Sequence, residues 1–151
     1  MFHARAYKIG FDCGGLLLFA AVMAPNFIWF VVPAPRDILR HTSATPAVDT
    51  AAAVFQVIMV AALCGIKNIE GSKSIRRALL VGIAALVALY YGGWSLYYTG
   101  TTGTAVILDL CIAPCLAFLL YAAARKNAPA LAAAGLFTAS HLLSSAVNFI
   151  F

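Results

Sequence analysis

Two ionisable side chains sit deep inside apolar runs of this chain, Asp109 and His141. A charge in hydrocarbon costs at least about 2.5–3.5 kcal/mol, so such groups face a protein interior or a wet cavity. A carboxylate beside an imidazole can hold a cation or pass a proton. Asp109 stands 16 residues before Arg125, and His141 stands 16 residues after it. On antiparallel helices joined at that connector, both reach the same depth, ~23 Å from it. If they touch, they titrate as one unit. Depth alone does not orient them toward each other.

Four further side chains join them as candidates for a ligand or ion pocket: Asn26, Gln56, Trp94 and Asn148. In that pocket Asp109 is the cation or proton site and His141 its titrating partner. Asn26, Gln56 and Asn148 are neutral ligands. The alternative is that the polar residues are hydrogen-bond glue between helices, typically worth ~0.6 kcal/mol each. Tyr90, Tyr91, Trp94, Tyr97 and Tyr98 also suit an interfacial aromatic belt. No nucleophile elbow, HExxH, phosphate loop or catalytic carboxylate pair is present, so no catalytic residue is assigned. The four cysteines lie in or beside apolar runs without metal-ligand spacing and read as packing residues. No metal and no cofactor is expected.

The elements that position these residues follow from composition. Of 151 residues, 64% are hydrophobic and 10% charged. A soluble domain carries about 25% charged residues, so the solvent of this chain is lipid. The apolar runs are continuous rather than alternating, which predicts helices and not a barrel. An all-α bundle of five transmembrane helices is expected, in one domain, with spans at about 9–32, 49–66, 78–98, 104–124 and 128–151. Pro25 interrupts the first span and frees the carbonyl near Ala21. Asp12 beside Lys8 reads as a side chain that snorkels to the interface. Asp49 reads as the N-cap of the second span. Gly92 and Gly93 let a neighbouring helix approach the third.

Basic residues set the orientation. With the amino terminus inside, the cytoplasmic segments hold Arg5, Lys8, Lys67, Lys73, Arg76, Arg77, Arg125 and Lys126, against Arg36 and Arg40 outside. Eight against two predicts an N-in, C-out protein of the inner (cytoplasmic) membrane. The candidate residues then fall in the outer half of the bilayer. The net charge of +5 is explained by topology, and no nucleic-acid partner is expected.

The stretch PNFIWFVVPAPRDILR, followed by DTAAAVFQVIM, resembles a pattern in small bacterial multi-span membrane proteins with no assigned activity. The resemblance implies a membrane location and carries no site residue over. In size and span count the chain also resembles the tryptophan-rich sensory and translocator proteins. It has only Trp29 and Trp94 and no proline-tryptophan motif, so that likeness is one of shape. Three functions fit these readings. The first is binding or movement of a small solute or ion, which implies a homo-oligomer or another membrane subunit. The second is an accessory or assembly subunit of a membrane complex. The third is an enzyme on lipid-linked substrates, with His141 and Asp109 as acid and base.

Overall fold

The computed structural model describes residues 6–70 and 75–151. Arg5, and residues 71–74 of the basic connector with Lys73 among them, lie outside the described residues. In chain order the elements are β1 (Tyr7–Ile9), α1 (Cys13–Val31), α2 (Pro46–Gly65), β2 (Ile66–Asn68), α3 (Arg77–Tyr98), α4 (Thr104–Ala124) and α5 (Ala128–Phe149). A single 3-10 turn, Ile38–Arg40, interrupts the loop between α1 and α2. All five α-helices are long and apolar enough to cross a membrane. At 1.5 Å per residue, about 20 residues cover ~30 Å of hydrocarbon.

The bundle is built around α4. Its most apolar window is 61% buried, against 22% to 28% for the other four helices. The helix α4 packs on α3 and α5, α5 packs on α2, and α1 lies over α2, α3 and α4. The outward faces of those four helices carry Leu17, Val31, Val57, Val81, Leu89 and Leu143, all well exposed. Exposed apolar surface on this scale needs lipid or a partner to cover it.

Pro25 removes one helix hydrogen bond in α1, and the orphaned Ala21 carbonyl accepts instead from the Tyr91 hydroxyl of α3 at 2.8 Å. Gly15 sits where a Cβ would lie 2.9 Å from the Leu63 carbonyl oxygen of α2. Its missing side chain is what lets α1 and α2 approach. Of the pair in α3, only Gly93 faces a neighbour; a Cβ at Gly92 would meet nothing within 4 Å.

One end of the bundle departs from expectation. The strands β1 and β2 form an antiparallel ribbon, pairing Tyr7 with Asn68 and Ile9 with Ile66. The pairing continues through Gly10 N–H to the Gly65 carbonyl, 3.0 Å, and Asp12 N–H to the Cys64 carbonyl, 2.8 Å. Helix α1 therefore starts at Cys13 and not at Ile9. The chain enters α1 beside the point where it leaves α2, and the backbone groups of the two ends satisfy each other.

Asp12 does not snorkel. Its carboxylate caps α1 through Gly14 N–H and Gly15 N–H, accepts from the Tyr121 hydroxyl at 2.9 Å, and pairs with Arg125 at 2.7 Å. Burial alone would raise its pKa, but the bonds from Tyr121 and Arg125 outweigh it and hold the carboxyl below its ordinary value. Asn127 locks the same end by donating to the carbonyls of Ala62 and Ile66, at 3.0 and 2.7 Å. Helix α2 starts at Pro46, a first-turn position that suits proline, so Asp49 lies inside the helix and is not its cap.

Candidate functional site

At the opposite end, the loop from residue 32 to 45 folds over the bundle and is held by Asp37. Its carboxylate accepts from Trp29 Nε1 at 2.9 Å, the Tyr97 hydroxyl at 2.9 Å, Arg40 Nε at 2.7 Å and Ala34 N–H at 3.3 Å. The Arg40 guanidinium also lies 4.8 Å from the centre of the Trp29 ring. Burial pushes the Asp37 pKa up, and the bonds from Trp29, Tyr97 and Arg40 more than reverse it, so the group is held below its ordinary value. Asp37 and Arg40 stand i and i+3 across the 3-10 turn and form an ion pair.

Beneath this loop lies a cavity of about 520 Å³ with residues from all five helices in its wall. Asn26, Gln56, Trp94, His141 and Asn148 all line it. Asp109 does not. Its carboxylate lies where a Cβ on Gly93 would sit, between α4 and α3. No hydrogen bond or ion pair joins it to His141, and the carboxylate whose field reaches His141 is that of Asp49. The reason is rotation about α4. Helix α4 turns Leu110, Cys111, Pro114 and Phe118 to the cavity, and at 100° per residue Asp109 is about 100° from Leu110 and about 140° to 180° from the other three. The depth of Asp109 does not make it part of the site.

The polar groups of the cavity gather on α2 and α5. Asp49 accepts a short hydrogen bond from the Ser144 hydroxyl. Asn148 donates to Thr45 Oγ1 at 2.7 Å and accepts from Ala44 N–H at 2.6 Å, which ties the loop to α5. Asp49 and Ser144 were missed as site residues, although Asp49 stands seven residues before Gln56 and Ser144 four before Asn148. Those spacings put each on the face of its expected partner.

The opposite wall is aromatic. Tyr90, Trp94 and Tyr97 follow one face of α3 and are 3%, 5% and 0% exposed, so they are core residues and not an interfacial belt. Trp94 meets Tyr90 and Tyr97 edge to face, with centroids 6.3 and 5.7 Å apart. Asn26 donates to the Tyr90 hydroxyl at 2.6 Å and to the Val22 carbonyl at 2.9 Å. His141 stacks on Phe137 at 5.2 Å.

Two groups in the wall are poorly satisfied by the protein. The Gln56 amide donates to Met23 Sδ at 3.7 Å, a weak acceptor. The buried Trp94 Nε1 makes no hydrogen bond among the described residues. That nitrogen is sealed from the cavity and lies against the Tyr90 hydroxyl. Phe30 on α1 and Ala53 on α2 line the cavity and are also exposed, so it reaches the surface between these helices. Exposed His41 marks a second approach through the loop. No family model, curated protein or solved structure matches the chain.

Proposed function

We propose that this multi-pass membrane protein binds a small amphipathic solute inside the bilayer, in the cavity walled by all five helices. The observation that carries the reading is the cavity itself. Its volume of about 520 Å³ falls in the range of small-molecule sites, which pair mostly apolar walls with a few convergent polar groups. Here the polar groups are Asp49, Gln56, His141, Ser144 and Asn148, and the apolar wall includes Phe30, Phe137 and Trp94. The basic residues favour a bacterial inner-membrane protein with its amino terminus inside, which puts the cavity in the outer half. The opening between α1 and α2 favours solutes that partition into lipid.

A native thiol tests it. Cys111 lines the cavity, whereas Cys115, one turn further along α4, does not. Two single-cysteine variants, one keeping Cys111 and one keeping Cys115, are treated in lipid nanodiscs with methyl methanethiosulfonate. Thiol reactivity follows access, so Cys111 is expected to react at least about tenfold faster than Cys115. Ala52→Phe, which fills the cavity, should remove most of that difference. Equal rates, unaffected by Ala52→Phe, would rule out a solute-accessible cavity.

A further inference from the structure

We infer that the solute carries a positive charge on an apolar body, an organic ammonium type of ligand whose charged end sits at Asp49. The inference rests on the cavity reading above and adds the sign of the charge. It starts from how the carboxylates of the bundle are neutralised. Asp12 has Arg125 at 2.7 Å, and Asp37 has Arg40 at 2.7 Å. Asp49, like Asp109 outside the cavity, has no lysine or arginine partner among the described residues: it lies in the first turn of α2, Ser144 donates to it, Ser43 and Thr45 face it, and His141 is within reach of its field. Among the described residues, no lysine and no arginine lines the cavity. Hydroxyls solvate a carboxylate but do not cancel its charge, and Asp49 presents that charge, partly buried, at the cavity wall.

An anionic solute would add a second negative charge beside Asp49. A neutral solute would displace water from it and return at most a hydrogen bond, leaving the charge in place. A cation removes the imbalance, and the rest of the wall suits one. Tyr90, Trp94, Phe30 and Phe137 surround the cavity, and aromatic faces attract ammonium groups within about 6 Å. Two histidines, His41 and His141, also line the cavity. Protonated, either would compete for Asp49, so the test is run at pH 8, above the ordinary histidine range near about 6.5.

The probe is benzyltrimethylammonium, compared with neopentylbenzene, its uncharged carbon isostere. The readout is protection of Cys111 from methyl methanethiosulfonate in the single-cysteine protein in nanodiscs. The cation should protect at a bilayer concentration at least about tenfold lower than the isostere, each corrected for its measured partition into the nanodisc lipid. Asp49→Asn should abolish that preference and Asp49→Glu should keep it. Equal protection by both probes overturns the charge assignment and leaves the cavity reading standing. So does protection by neither while Cys111 still reacts fast and Ala52→Phe still slows it. Failure of Cys111 to react without any probe overturns the cavity reading instead.

Discussion

Asp12 and Asp37 solve the same problem at opposite ends of the bundle. Each is a carboxylate at the edge of an apolar helix that collects an arginine, a tyrosine hydroxyl and a backbone N–H. Both are held below the ordinary carboxylate pKa. A depressed folded pKa contributes stability that is fully present above the unfolded value, near about 3.9, and is lost as pH falls through the folded value. Thermal unfolding in detergent is therefore expected to change little from these groups between pH 5 and 8 and to weaken below about pH 4. Removing one partner of a fully buried pair costs roughly 3–5 kcal/mol; Arg125 keeps 18% of its side-chain surface, so Asp12→Asn should cost about 2 kcal/mol near neutral pH. Its acid limb should also be shallower than that of the parent chain. An Asp12→Asn protein with unchanged melting and an unchanged acid limb would mean the pair is solvated and idle. Residue chemistry was only partly legible in the sequence. Charge and depth singled out Asp109, but a residue's heading around its helix depends on which face the neighbours cover. The neighbours of α4 cover most of it, and its exposed positions Leu108, Ile112 and Leu116 are apolar as well, so no apolar stripe marked the inward side. Asp49 had the right spacing to Gln56 and was set aside because a helix start offered a simpler use for it.

Helices were the legible elements, because crossing lipid demands a continuous apolar run and that demand is local. The Pro25 break and its orphaned carbonyl were legible for the same reason, though its partner, Tyr91, was not. The ribbon β1–β2 left no signal: each strand has three residues, and they pair because the bundle brings the two chain segments together. Glycines in the spans divide by environment in a way that spacing did not disclose. Gly15 is pressed against the Leu63 backbone, and Gly92 faces open space. Gly15→Ala is expected to destabilise by roughly 1–3 kcal/mol, because a backbone carbonyl must give way. Gly92→Ala should be neutral or stabilising by up to about 1 kcal/mol through helix propensity. Melting temperatures of the two variants, measured side by side, check the pairing of α1 with α2. The same change at both sites, in sign and size, would mean that α1 does not pack as described.

At the scale of the whole molecule, the eight-to-two distribution of basic residues predicts an amino terminus inside. A phosphatase reporter joined after Phe151 is expected to be active, since it matures only outside the cytoplasm, whereas a fluorescent reporter that folds only inside should stay dark there. The reverse result would turn the molecule over and move the cavity to the inner half. The bundle is also asymmetric around its axis. Helix α4 is enclosed, α2 and α5 are closely paired, and the cavity surfaces between α1 and α2, where Phe30 and Ala53 are exposed. A solute entering there arrives from among the acyl chains, not from water. The concentration that sets occupancy is then the amount dissolved per volume of bilayer. Diluting the protein into more lipid at a fixed total of solute would empty the site, and an affinity quoted per litre of buffer would drift with the membrane used to measure it.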